Sequence, residues 1–234
     1  MEIVNVFSLS DKEKLIAKDF IKDQFSKQMK LCLDVTSEKN KELLIDYVLK
    51  SKAWNDTIIY ERTKKGSKVL EKCADASATL KNGIGELCEN SNYQLWHERM
   101  LKKLSEDYFE SKYGMAQKFL NMSMKYFYLI EFGYGIELFD NLSLCQFKDD
   151  FDVPLDSFIL KWLIYNSVGD QEFRDKAQDI SSWNKMTCEI YPFLQTKTKN
   201  LLKKRYEDLD SILIAETAVW DGIKDLKAKI KMEI

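Results

Sequence analysis

Along nearly the whole chain, hydrophobic positions recur at intervals of three and four, and alternation at two is confined to "EIVNVF" at residues 2–7. That period puts one apolar stripe on each of a series of helices. Two prolines and eight glycines in 234 residues leave little to interrupt them. The pattern predicts an all-α protein, a globular multi-helix fold with room for two lobes and a cleft between them.

Ser10 and Glu13 in "SDKE" make a capping box that opens a first helix over 11–33, its stripe running through Leu15, Phe20, Phe25 and Met29. Further helices are predicted over 38–51, 55–64, 67–81, 92–111, 114–132, 154–166 and 171–180, then 183–208 with a kink or break at Pro192, and 210–231. "KNGIGE" at 81–86 reads as a turn, because Asn-Gly and a second glycine readily supply positive φ. A Gly-broken connector of about twenty residues follows the 114–132 helix, with space for one short helix, and a connector this long inside a compact domain is often functional. Pro154 falls in the first turn of the next helix, where a missing N–H costs nothing. No internal repeat or linker divides the chain, so residues 1–234 read as a single all-helical domain.

Two of these helices carry the chemistry. "YGMAQKFLNMSMKYFYLI", residues 113–130, is apolar almost all the way round, yet it holds Gln117, Lys118, Asn121 and Lys125. On a helical wheel these four gather with Gly114 and Tyr128 into one stripe about 100° wide. In 154–166, Phe158, Ile159, Leu160, Trp162, Leu163, Ile164 and Tyr165 cover nearly every direction, leaving polar character to Asp156, Ser157 and Lys161. Both helices are predicted to be buried, and a charge on a buried helix is solvated, paired or functional.

A thin solvent-facing strip accounts for Lys118 and Lys125, and capping of a helix N-terminus accounts for Asp156. The functional alternative takes the two helices together. A lysine nucleophile must be neutral to attack, and burial beside a second cation, Lys125, favours the neutral form. An aspartate at a helix N-terminus keeps its charge and can accept a proton or steady a cation. Amine and carboxylate converging on one pocket suit Schiff-base chemistry at a sugar carbon.

These residues resemble the helix-hairpin-helix DNA glycosylases of the endonuclease III and oxidised-purine glycosylase type. "GMAQKFLN" at 114–121 is similar to that family's G-x-G-x-K-x-x-N stretch, and "VPLDSFILK" at 153–161 to its V-P-V-D-T-x-V-x-R stretch, in the same order along the chain. Ala116 stands at the second glycine, "SKY" at the preceding Leu-Pro, and the cluster-binding cysteines of endonuclease III have no counterpart. The resemblance implies Lys118 as the Schiff-base lysine and Asp156 as the catalytic carboxylate, acting on a base flipped out of DNA into a cleft. It further implies a substrate-binding set of Gln117 and Asn121 reading the base edge, Phe119 and Trp162 stacking on it, and Lys125 beside them.

Composition narrows the remaining classes. Net charge is -2 and the pI about 5.7, so no global basic field advertises DNA, and "KKGSK" at 64–68 and "KNLLKKR" at 199–205 are the local basic clusters, each also readable as solvated surface. Five scattered cysteines without a C-x-x-C pair exclude a disulfide framework, a zinc finger and a cysteine-ligated cluster, and point to reduced thiols in a cytoplasm. His97 is the one histidine, too few for a His-rich metal site, and reads as a helix-surface or core residue. Asp149, Asp150 and Asp152 read as a solvated acidic loop rather than a Mg²⁺ site, so neither metal nor cofactor is expected. The N-terminus lacks the features of a signal peptide, and Lys125, Glu131, Glu137 and Lys161 break the apolar runs before membrane-spanning length. The Lys- and Asn-rich composition suits a bacterium or its phage. The competing reading is a non-catalytic helical interaction protein, in which Trp54, Trp183 or Trp220 marks a partner surface and the 114–132 stripe is a buried polar network.

Overall fold

The computed structural model describes residues 9–26, 37–58, 67–90, 92–167, 169–178 and 183–232. They form nine helices, with no strand among the described residues beyond one isolated bridge, Phe139 with Leu142. In chain order these are α1 (Leu9–Gln24), α2 (Glu38–Asp46, continued by a π-helical stretch Tyr47–Ala53 and a last turn Trp54–Thr57), α3 (Ser67–Asn90), α4 (Tyr93–Tyr108), α5 (Tyr113–Tyr134), α6 (Ser157–Asn166), α7 (Gln171–Gln178), α8 (Tyr191–Arg205) and α9 (Ile212–Met232). The all-α expectation is met. The "EIVNVF" stretch, the Ser10 side chain, Met29 and Gly66 lie outside the described residues, as does most of "KKGSK".

The core is organised around α5, in which every residue from Gly114 to Glu131 is buried. Helices α1, α2 and α4 pack along it, and short 3-10 turns at Leu144–Phe147 and Trp183–Lys185 close it off. Gly133 lets α1 approach, since a Cβ there would meet the Ala17 Cβ at 3.3 Å. Gly135 ends α5 in the left-handed conformation, φ 68°, returning its N–H to the Glu131 carbonyl. The Glu131 side chain then accepts from Leu144 N at 3.0 Å and Cys145 N at 3.3 Å, which fixes the 3-10 turn inside the long connector.

Several boundaries differ from the sequence pattern for identifiable reasons. "KNGIGE" is not a turn: α3 runs through both glycines to Asn90. Gly83 is instead a packing glycine, where a Cβ would fall 1.9 Å from the Met100 Cε and where the carbonyl accepts the Trp96 indole N–H at 2.6 Å. The 183–208 stretch is broken rather than kinked near Pro192, into the turn Trp183–Lys185 and α8, in whose first turn Pro192 sits. Leu15, assigned to the first stripe, is 57% exposed, because α1 turns Glu13, Ala17, Phe20 and Ile21 inward and Glu13 accepts the Ser211 N–H at 2.8 Å. Helix α6 is not buried all round: Ile159, Leu160 and Leu163 face the core, while Ile164 and Tyr165 are exposed.

Helix α6 also begins later than predicted. Pro154 lies before it, in a segment without regular secondary structure, 151–156, and Asp156 is its N-cap, with Oδ1 accepting from Phe158 N at 2.8 Å and Ile159 N at 3.0 Å. Residues Val153 to Asp156 are buried, so their backbone groups need partners from elsewhere in the protein.

Candidate functional site

Those partners are two glutamines. Gln195, on α8, donates to the Val153 carbonyl at 2.7 Å and accepts from the Val153 N–H at 3.0 Å. Gln117, on α5, treats Leu155 the same way, donating to its carbonyl at 2.8 Å and accepting from its N–H at 3.2 Å. Alternate residues of one segment thus have both backbone groups paired by side chains. The segment is rigidly placed, and Asp156 with it.

The rest of the Gln117 amide is also in use. Its Nε2 donates to the Gly114 carbonyl at 3.0 Å, and its Oε1 accepts from Asn121 at 3.3 Å. Asn121 in turn donates to the Tyr191 hydroxyl at 2.9 Å and lies 3.4 Å from the Val153 carbonyl, and its Oδ1 is 2.8 Å from His97 Nε2. Tyr191 donates to Asp152 at 2.7 Å, and Lys199 pairs with the other oxygen of Asp152 at 2.7 Å. Gln117 and Asn121 are therefore spent on the scaffold and have no free edge to offer a base. Phe119 is likewise core, edge-on to Trp54 and tilted against Phe109. Trp162 is half-buried and lies outside the cavity described next.

Lys118, one residue beyond Gln117, points the other way. Its ammonium lies 3.7 Å from Asp156 Oδ2 and 4.7 Å from the centre of the Trp183 ring. Both members of the pair are buried, Lys118 at 7% exposure and Asp156 at 3%, so neither is part of a solvated strip. The separation is longer than a hydrogen bond, so the amine is held by charge and by the indole face rather than locked to the carboxylate. Asp156 has divided its two oxygens, Oδ1 to the start of α6 and Oδ2 toward the amine.

Trp183 reaches this position because Gly114 has no side chain. A Cβ on Gly114 would fall 2.0 Å from the Trp183 carbonyl oxygen, and the Gly114 N–H donates to the Met186 carbonyl at 3.2 Å. Gly114 is thus the seat of the turn that lays the indole over Lys118.

Lys118 and Asp156 form part of the wall of a cavity of about 200 Å³. Aromatic rings surround the rest: Phe20, Tyr126, Phe158, Trp183 and Trp220, with Phe158 and Trp220 in contact at 4.7 Å between centroids. Asp56 also lines the cavity and accepts the Tyr126 hydroxyl at 2.8 Å. Lys125 also lines the cavity, 4.3 Å from the centre of the Phe20 ring. Its ammonium is paired with Glu216 of α9, and both side chains are fully buried. Lys125 is therefore a neutralised partner rather than the uncompensated second cation that the wheel suggested. Burial holds the Glu216 carboxyl above its ordinary range; Lys125 offsets part of that effect and Asp156 adds repulsion.

Glu216, Trp183 as the indole over the lysine, and the two glutamine clamps were not singled out from the sequence. Glu216 carries the clearest signal: "ILIAETAV" sets one carboxylate in an otherwise apolar turn. No group of residues suited to hold a metal ion occurs among the described residues, and none of the helices there is long and apolar enough to cross a membrane. No family model matches this chain, and neither a curated protein nor a solved structure does.

Proposed function

We propose that this cavity is the active site of a base-excision protein of the DNA glycosylase/lyase kind, with Lys118 as the Schiff-base nucleophile and Asp156 as its carboxylate partner. One observation carries the reading: of the two α5 lysines that line the cavity, Lys125 is locked to Glu216, whereas the Lys118 amine stands 3.7 Å from the Asp156 carboxylate, beyond hydrogen-bond distance. Gln117 and Asn121 are consumed by backbone and network, and Lys125 by Glu216. A structural lysine would be expected within hydrogen-bond reach of its carboxylate, as Lys125 is of Glu216.

In this reading Lys118 passes a proton to Asp156, and the freed amine forms a bond to the anomeric sugar carbon as the bond to the base breaks, the base leaving with the proton that the new C–N adduct releases. The sugar ring then opens at its own oxygen, which takes the proton back from Asp156, and the iminium results. The aromatic walls limit the access of water to the iminium. Base recognition falls to residues lining the cavity rather than to Gln117, Asn121, Phe119 or Trp162.

The competing reading, a non-catalytic interaction protein, shares the buried polar network but not the partner surface first assigned to it. Trp54 and Trp183 are buried and Trp220 is half-buried against Phe158. Borohydride trapping on abasic-site DNA decides between the two: a covalent adduct that Lys118→Ala abolishes supports the lyase, and no adduct over a panel of lesions removes it.

A further inference from the structure

We infer that His97, remote from the cavity, is a proton-sensitive positioning residue that sets the register between Asp156 and Lys118 through the clamped segment 152–156. The inference rests on the proposed function for its catalytic consequence, but its structural half stands on the network alone.

The hydrogen-bond directions follow from the donors. Asn121 Nδ2 donates toward Gln117, Tyr191 and Val153, so the atom facing His97 is its carbonyl oxygen, an acceptor. His97 must then carry its proton on Nε2, and Nδ1 is left as a bare lone pair. That lone pair faces Asp152, whose Oδ2 is 3.7 Å away and already accepts the Tyr191 hydroxyl. A ring closes through Asp152, Tyr191, Asn121 and His97, and Asn121 ties it to Gln117, hence to Leu155 and Asp156.

A second proton on His97 turns Nδ1 into a donor aimed at Asp152. Tyr191 and the imidazolium then compete for Asp152 Oδ2, and closing the 3.7 Å gap pulls on the first residue of the segment whose last residue is Asp156. The groups that face His97 fix how readily this happens. Burial is the largest influence and keeps the ring neutral, lowering its pKa; Asp152, the Asn121 bond and Glu98 act in the opposite direction, and Lys199 reinforces burial. Tyr93 stacks on the imidazole at 5.6 Å and Tyr191 at 6.5 Å, and burial pushes both phenols up, so neither ionises alongside it. Tyr113, edge-on to Tyr191, is raised for the same reason, and Asp150 enters through its repulsion of Tyr93. Asp152 and Lys199 are therefore the charges that an incoming proton redistributes.

Because His97 is the chain's one histidine, its imidazole signals in a ¹⁵N NMR titration need no assignment. The expected result is an Nε2–H tautomer at neutral pH, titrating below the usual histidine range, with the backbone amides of Val153 and Leu155 shifting at the same midpoint. His97→Gln keeps a donor toward Asn121 but cannot titrate, so it should retain both amide positions and lose their acid step. In the borohydride assay the wild-type acid limb should contain that step and His97→Gln should lack it. Static Val153 and Leu155 amides through the His97 titration, or a step that persists in His97→Gln, overturns the inference. If no abasic-site DNA yields an adduct while the amides follow His97, the lyase reading falls and the coupling stands.

Discussion

Gln117 grips both backbone groups of Leu155, and the residue after each of them, Lys118 and Asp156, forms the pair that faces the cavity at 3.7 Å. One amide therefore sets the distance between two charges from the residue next door. Gln117→Leu fills the same space but leaves the Leu155 N–H and carbonyl buried without partners, at roughly 1–3 kcal/mol for each unmatched group. Urea unfolding should show a loss of about 2–6 kcal/mol. Adduct formation should fall by more than in Gln195→Leu, since Gln195 clamps Val153, three residues from Asp156 instead of one.

The Lys125–Glu216 pair makes a sharper stability prediction. Both charges are fully buried, so removing one strands the other: Lys125→Met should cost about 3–5 kcal/mol, and adding Glu216→Leu should recover much of it. The pH dependence has a defined sign. The folded Glu216 carboxyl lies above its ordinary value because burial outweighs the pull of Lys125. Its protonation therefore adds stability in full below the unfolded pKa, and that contribution is lost as pH rises through the folded pKa. Relative to Glu216→Gln, which does not titrate, the wild type should have its largest advantage at the acid end and lose it steadily upward. Chemical denaturation at a series of pH values reads this directly; an advantage that grows with pH would contradict the assignment.

Two glycines with similar apparent clashes should behave differently. At Gly83 a Cβ meets the flexible end of Met100, and at Gly114 it meets the backbone oxygen of Trp183. Gly83→Ala should be tolerated once Met100 is shortened, and the double variant with Met100→Ala should unfold no more easily than Met100→Ala alone. Gly114→Ala has no such remedy, because the whole 183–185 turn must move and the indole leaves Lys118. Its tryptophan emission should shift to the red, and its melting temperature should fall.

What the sequence disclosed follows from range. Lys118 and Asp156 were legible because each is marked locally, one by a polar stripe in an apolar helix and the other by its place before "SFIL", where a carboxylate caps. The helical class and the centrality of α5 were legible from period and hydrophobicity for the same reason. Gln117 and Asn121 were seen but given the wrong partners: a stripe says that polar groups share a face, not whether a ligand or a passing backbone meets them. The backbone came from residues 153–155, about one-sixth of the chain away. Glu216 answers Lys125 from 91 residues on, and no pattern local to either residue announces that pairing. Gly83 shows the reverse failure, a strong turn signal overridden because close packing against Met100 also requires a residue without a side chain.

The two jobs of Asp156 can be separated by a single atom. Its Oδ1 caps α6 through Phe158 and Ile159, and its Oδ2 faces Lys118. Asparagine is as good a cap as aspartate but brings no charge, so Asp156→Asn should keep Oδ1 in place, and both Asp156→Asn and Asp156→Ala lose the charge that faces buried Lys118. Asp156→Ala loses the cap as well and should be less stable than Asp156→Asn by about 0.5–2 kcal/mol. If Asp156 serves only as a cap, adduct formation at Lys118 should track stability and fall in Asp156→Ala alone. If it serves the lysine, both variants should lose adduct formation equally although Asp156→Ala is the less stable of the two. Measuring unfolding free energy and the rate of borohydride-trapped adduct on the same preparations distinguishes the two outcomes, because the charge and the cap then vary independently.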